Sequence, residues 1–546
     1  MNDWLLLLPI FTPLLLVALA HRLSGRGWLL LAAATMGATG LLVDEGVSLD
    51  LPWLLLGTQL QLDATGRLFM IYGSLIWMLA VLFFPSSPEV GAGPGGGRHA
   101  FLLALGGNAL LLMAADMLTF YLGFALMSLS AYGLVVGRSQ RGRRAARIYL
   151  IFTLIGEMAL FAALLLIASE SGSLRFADLS GQTLPSLAVA LLLLGFGIKV
   201  ALPGLHFWLP PAYGTAPLYG LAVLSGPMMK AGLLGWLRFL PTGISLDPVW
   251  GQTLLLLGSL GVALGILLGL LQVQPRAVLA YSSIAKMGLI STLVGLSLSQ
   301  PTLAPLLLPA VLAIALHHLL VKPMLFLGLG LWQRGVGRSW TLAGLVLLAL
   351  SLAAAPLTGG GAAKVALDGV LDGRLGGLLL FSGIGTTLLM VRFFWLLRHY
   401  SSRPAGEVER GPGAGWLLLL PLAVWGPLQP GGIPLTLHGL GPLAAGLGLA
   451  LSSMAIHRWC LPHLRRTDLR TFPFAGWTLR RIRLHPSAVT LPTPHWRTPA
   501  WLRWRSPKLF SRKDLATTTA PALGWLLLML TLLGALALTR IFHTAA

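Results

Sequence analysis

Ten ionisable side chains stand where the surrounding residues are almost entirely apolar. They are Glu157 in "LIGEMAL", Lys199 and His206 in "GIKVALPGLHFWL", Lys230 in "GPMMKAGLL" and Lys286 in "YSSIAKMGLI". The rest are His317, His318 and Lys322 in "ALHHLLVKPMLF", with Lys364 and Asp368 in "GGGAAKVALDGV". A charge in hydrocarbon costs at least a few kcal/mol, so such residues usually have a use. One lysine near a helix end can snorkel to an interface. Five lysines inside separate apolar runs need another account. Desolvation brings the two protonation states of a buried lysine closer in energy, and a histidine needs a smaller shift to titrate. Lysines and histidines on successive helices, separated by water, have the physical form of a proton relay. A small-molecule transporter would more often gather its polar groups at one central site. Two of the lysines also lie beside helix breakers. Pro203 follows Lys199, and Pro356 with Gly359, Gly360 and Gly361 precedes Lys364. A broken helix frees backbone groups, and a membrane tolerates this only where protein or a water-filled cavity satisfies them.

The elements that must carry these residues are membrane helices. Of the 546 residues 56% are hydrophobic and only 10% are charged, more apolar surface than a soluble chain could hide from water. Runs long enough to cross a hydrocarbon core of roughly 30 Å recur along the chain. About 16 spans are expected, near 3–22, 27–44, 64–84, 100–115, 117–136, 146–169, 185–208, 217–240, 252–272, 276–298, 305–331, 340–368, 375–398, 413–428, 438–456 and 519–540. The fold class is therefore an all-α polytopic membrane protein, with no alternating pattern of a membrane barrel. The first run, Trp4 to Ala20, lacks the basic flank and small-residue cleavage site of a signal peptide and reads as the first membrane helix.

The net charge of +21 would suit a nucleic-acid partner, but its distribution does not. Arginines gather in "HRLSGR", "GRSQRGRRAAR", "WQRGVGR", "RHYSSR" and the late segment from Arg458 to Lys513. Each of these follows an odd-numbered span. The loops after the second and sixth spans carry acids instead, in "VDEGVSLD" and at Glu170 and Asp178. The excess of Lys and Arg in cytoplasmic loops then places the odd loops inside and both termini outside, in a bacterial-type inner membrane. Segment 457–518, rich in Arg, Trp and Pro, reads as a cytoplasmic membrane-surface segment or as a docking arm for another subunit, a soluble one included; a final helix expected in 519–546 would pin its far end. Cys460 is the one cysteine, so neither a disulfide framework nor a cysteine-ligated cluster is supported. No nucleotide-binding glycine motif and no metal-ligand spacing stands out, so no cofactor and no metal is expected.

Four stretches carry a resemblance: "GIKVALPGLHFWLPPAYGTAPLYGLAVLSGPMMKAGLLGWLRF", "QVQPRAVLAYSSIAKMGLI", "HHLLVKPMLFLGLG" and "PLTGGGAAK". In this order, over roughly residues 60–400, they resemble the antiporter-like subunits of respiratory complex I. The large Mrp cation/proton antiporter subunits and the membrane arms of group 4 hydrogenases belong to the same family. The resemblance implies two inverted five-helix repeats, here 100–240 and 252–400, each with a broken helix and a half-channel. Helices within 1–99 and 413–456 would flank them. It further implies that Lys199 is the central lysine of the first half-channel and that Lys230 links it to the middle. His318 and Lys322 match the family's "HxxxK", Lys364 would be the lysine of the second half-channel, and Lys286 falls where many relatives have histidine. His206, His317 and Asp368 are secondary candidates. Two departures stand out. Ala125 in "FYLGFALMSLSAY" occupies the place of the family's glutamate, and "PPAYG" replaces the "D-A-H" after the broken helix. Glu157, one helix further on, is then expected to supply the lost carboxylate. The implied function is proton translocation within an energy-converting membrane complex, through a chain of Lys, His, Glu and water. The alternatives are a cation/proton antiporter subunit, the proton-fed partner of an inorganic carbon uptake complex, and a structural anchor that no longer conducts.

Overall fold

A computed structural model describes residues 3–460 of the chain, apart from 21, 24, 55, 86–96, 138, 180–181, 242–246, 368–373, 400–410 and 427–439. Asp368, the basic segment beyond Cys460 and the helix expected in 519–546 lie outside the described residues.

The described chain is a polytopic all-α membrane protein. Leu- and Ala-rich runs become helices because only a helix lets a single segment satisfy every backbone group without water. Eight helical segments are long and apolar enough to cross a membrane, and shorter apolar helices accompany them. The first three helices are α1 (Leu8–Leu19), α2 (Gly27–Leu42) and α3 (Ala64–Leu82). Between α2 and α3 a small antiparallel hairpin forms that the hydropathy pattern did not signal, β1 (Ser48–Leu51) with β2 (Thr58–Gln61), which pairs Leu49 with Leu60 and Leu51 with Thr58. Then come α4 (Gly97–Met113), α5 (Met117–Val135) and α6 (Gln140–Ser171). Side-chain caps mark several starts: Asp63, Asp116 and Ser139 accept the N–H of Gly66, Thr119 and Gly142.

The expected span 185–208 does not run through. Helix α7 (Ser186–Val200) stops, a short 3-10 turn (His206–Trp208) follows, and α8 (Leu209–Thr215) resumes. The span 217–240 is also divided, into α9 (Leu218–Ser225) and α10 (Pro227–Phe239), at Gly226 with φ −91° and ψ −108°. The chain continues through α11 (Pro248–Leu270), α12 (Pro275–Ser299), α13 (Ala304–Gln333) and α14 (Arg338–Leu352). A second interruption separates α14 from α15 (Gly359–Val365), and α16 (Arg374–His399), α17 (Gly411–Trp425) and α18 (Leu440–Cys460) complete the described chain.

The two interruptions beside lysines share one construction. Ala201 adopts a left-handed conformation (φ 63°), Ala201 N–H bonds to Ile198 O, and Leu202 N–H reaches back to Gly197 O. At the second stop Ala354 does the same (φ 60°), with Ala354 N–H on Ser351 O and Ala355 N–H on Leu350 O. This is the Schellman arrangement, usually built on glycine. In each case proline follows two residues after the alanine, at Pro203 and Pro356, and blocks any return to the same helix. The stop thus comes from the alanine turn, slightly ahead of the proline.

Helix pairs approach backbone to backbone through small residues. A Cβ on Gly107 would lie 2.5 Å from Met127 N, which fixes α4 against α5. In the α11–α12 pair, a Cβ on Gly258 would lie 2.4 Å from Thr292 N. Small residues at such seams are what membrane packing uses in place of a hydrophobic drive.

Candidate functional site

The first cluster forms where α5, α6 and α7 meet. Lys199, two residues before the Ala201 turn, is 5% exposed. Its Nζ donates to Ser128 Oγ at 3.1 Å and to Tyr149 Oη at 3.3 Å, and lies 5.7 Å from the Phe124 ring centre. Tyr149 Oη in turn donates to Ser128 O at 2.8 Å. Glu157 is also 5% exposed, and neither of its carboxylate oxygens has a hydrogen-bond partner among the protein atoms. The Glu157 and Lys199 charges act on each other without the close contact of a salt bridge, and Ser128 is a neighbour of both. Ala125, where the family's glutamate was expected, leaves this corner with Glu157 as its acid. The Ile198 carbonyl at the stop, which accepts from Ala201 N–H, also accepts from the Trp208 indole N–H at 2.8 Å. Phe120, Phe124, Phe196 and Phe239 line a gap nearby of only about 10 Å³, at the lower limit for one water.

The second cluster lies along α10, α12 and α13. Lys230, 1% exposed, donates to Ser225 O at 2.9 Å, at the C-terminus of α9. The negative end of a helix dipole is a favourable place for that amine. Tyr213 Oη satisfies the adjacent Leu224 O at 3.1 Å. Lys322, fully buried, donates to Leu279 O at 3.0 Å. His318 lies one helical turn before Lys322 on the same face and is likewise fully buried. Neither of its ring nitrogens has a protein partner. The charges of Lys230, Lys322, Lys286 and His317 all reach it.

The third cluster surrounds a cavity of about 40 Å³, with room for more than one water. Lys286, His317, Lys364 and Ser382 contribute to its lining, and no carboxylate among the described residues does. Lys286 and Lys364 are half-buried because they border this space. His317 Nε2 is 2.7 Å from Ser351 Oγ, which donates its own proton to Val424 O at 2.9 Å. Ser351 therefore accepts from His317, which places the ring proton on Nε2. Gly360 permits this packing, since a Cβ there would lie 3.0 Å from the imidazole and closer still to Ser351 O.

Electrostatic neighbours thus run from Lys230 through His318 and Lys322 to Lys286, and from Lys286 to His317 and Lys364. Lys199 pairs instead with Glu157. His206 stands apart from both groups, against Phe207 and Tyr281, with Nδ1 unpartnered. Sequence reasoning missed Ser128, Tyr149 and Tyr213, since a hydroxyl in an apolar run is common. It also missed the division at Gly226, although "SGP" before Pro227 was the available signal.

The transmembrane family described as NADH:quinone oxidoreductase/Mrp antiporter matches residues 114–389. Hydrogenase-4 component B of Escherichia coli is 32% identical over 288 residues, 50% of this chain and 43% of that protein. NADH-quinone oxidoreductase subunit N of Desulforudis audaxviator is 29% identical over 503 residues, 81% of this chain and 95% of that protein. The match to hydrogenase-4 component B thus spans less than half of that relative's length. Among solved structures, the Mrp complex from Dietzia sp. DQ12-45-1b superposes with a TM-score of 0.68 at 20% identity, over 85% of this chain and 57% of that one. Respiratory complex I from Thermus thermophilus gives 0.59 at 23% identity, over 77% and 96%. At these identities the structural likeness is one of fold.

Proposed function

The chain belongs to the NADH:quinone oxidoreductase/Mrp antiporter transmembrane family, and from that premise we propose that it moves protons across the membrane as one subunit of an energy-converting complex. The observation that supports this most is the series of buried ionisable side chains on consecutive family motifs. Lys199 with Glu157 forms one acid–base station. Lys230, His318 and Lys322 form the central stations, and Lys286, His317 and Lys364 surround a cavity able to hold water. A proton entering one cluster changes the charge felt by its neighbours, and a like charge nearby favours release. Other membrane subunits of a hydrogenase- or quinone reductase-type complex are the proposed partners, with segment 457–518 as a docking arm for a soluble one.

The test is proton uptake by vesicles holding the purified complex. Lys199→Ala and Lys364→Ala should each lower the rate by about 100-fold while the complex still assembles. Wild-type rates in both variants would remove the relay. A rate that depends on sodium would favour a cation/proton antiporter subunit instead. Orientation has its own check. With Cys460 replaced, cysteines placed in 137–147 and in 457–518 should both resist an impermeant reagent added outside, and labelling of either would reverse the assignment.

A further inference from the structure

Donor and acceptor bookkeeping around Lys199 leaves two groups unassigned, and they match. The Tyr149 proton is committed to Ser128 O, so its oxygen is free to accept from Lys199. Ser128 Oγ also accepts from Lys199, which leaves the Ser128 hydroxyl proton as a donor with no partner named so far. Glu157, buried and close enough to Ser128 for the two side chains to interact, has two oxygens on which no protein donor is placed. A buried carboxylate without a donor bears its desolvation cost uncompensated, so the two unassigned groups belong together.

We propose that Ser128 is the proton bridge between Lys199 and Glu157, so that the acid–base pair of this half runs through a hydroxyl rather than through a direct contact. The proposal rests on the relay reading above and names how its first station works. In the step, the Lys199 ammonium gives a proton to Ser128 Oγ as the Ser128 hydroxyl proton passes to a Glu157 oxygen. One N–H and one O–H bond break, and two O–H bonds form. The charged pair becomes a neutral amine and a neutral carboxylic acid, the serine is regenerated, and no other reactant is needed. Burial favours such a step, because Lys199, with the Phe124 ring 5.7 Å from its amine, and Glu157 are both nearly inaccessible, and removing two opposite charges there recovers part of their desolvation cost. Ser128 is suited to this role by its place. It lies one turn after Phe124 on α5, 71 residues from Lys199 in sequence, and is 1% exposed.

The experiment uses the assembled complex in vesicles and compares Ser128→Ala, Ser128→Cys, Ser128→Thr and Tyr149→Phe. Two quantities are read: the proton uptake rate, and the infrared carbonyl stretch of a protonated carboxyl, assigned to Glu157 by its loss in Glu157→Gln. Ser128→Ala and Ser128→Cys should slow uptake by about tenfold or more and abolish the carboxyl signal. Ser128→Thr, which keeps the hydroxyl, should retain the signal and a rate within about threefold of wild type. Tyr149→Phe should keep the signal, since the bridge does not pass through it. A complex that fails to assemble with alanine leaves the same expectation on cysteine, which is close to isosteric. Wild-type rate and signal in the alanine or cysteine variant would overturn the bridge. So would a threonine variant as impaired as alanine. Loss of uptake in Lys199→Ala alongside a fully active Ser128→Ala would sink the bridge alone. Full activity in both Lys199→Ala and Lys364→Ala would sink the relay itself.

Discussion

Lys199 and Lys364 each stand near a helix stop made by an alanine in the left-handed conformation, yet their surroundings differ. Lys199 precedes its stop and is enclosed by Ser128, Tyr149 and Phe124, with Glu157 as the carboxylate whose charge reaches it. Lys364 follows its stop and borders a cavity of about 40 Å³ together with Lys286 and His317, where no described carboxylate contributes. The difference teaches how a lysine is accommodated in hydrocarbon. A dry site needs an opposite charge or a neutral amine, because nothing else offsets desolvation. A site with room for water can hold two cations close together, because water screens them and supplies the missing acceptors. The departure at Ala125 belongs to the same contrast. With alanine at position 125, the carboxylate whose charge reaches Lys199 is Glu157, on the next helix.

The largest effect that would break this comparison concerns Glu157. If Lys199 depends on that acid, Glu157→Gln should impair proton uptake about as much as Lys199→Ala, by about 100-fold. Equal activity of Glu157→Gln and wild type would make Glu157 a packing residue and the dry site one without an acid. A second measurement moves the acid back. Adding Ala125→Glu to the Glu157→Gln chain should restore uptake to within about tenfold of wild type, since position 125 lies three residues before Ser128, which Lys199 bonds, on the same helix. No recovery would mean that the carboxylate's exact approach, and not its charge, sets the station.

A smaller effect is expected on the other side. Lys286→Met removes one of two like charges that share the cavity. Uptake should fall by less than about tenfold, because Lys364 and His317 still border the water. The purified chain should also be more stable to unfolding, by about 1 kcal/mol, from relieved repulsion and desolvation. A large loss of uptake with no gain in stability would show that the two lysines act in series. The smallest effect tests the shared stop. Ala201→Gly and Ala354→Gly each relieve a left-handed alanine, a strain of about 1 kcal/mol, and should raise thermal stability slightly. If uptake falls while stability rises in one half only, the strain there serves the proton path.

Much of this was open to reading from the sequence alone. Long apolar runs dictate membrane helices wherever the chain lies, because unpaired backbone groups are too costly in lipid. The cost of charge likewise made Glu157, Lys199, Lys230, His318, Lys322 and Lys364 candidates before any neighbour was known. Pro203 and Pro356 marked the two stops to within a few residues, since a missing N–H acts locally. What stayed hidden depended on neighbours distant in sequence. Ser128 and Tyr149 looked like ordinary helix residues until the packing of α5, α6 and α7 brought them to Lys199, 71 and 50 residues away. Gly226 and Pro227 signalled the division between them, but not its partner in space, Lys230, which bonds the carbonyl of Ser225. The grouping of Lys286 with Lys364, and its separation from the Lys199 corner, followed from where side chains left a cavity. Hydropathy and local breakers act over one helix, so the sequence could name the charged residues. Which of them share a dry corner, and which share room for water, was decided only when the helices packed.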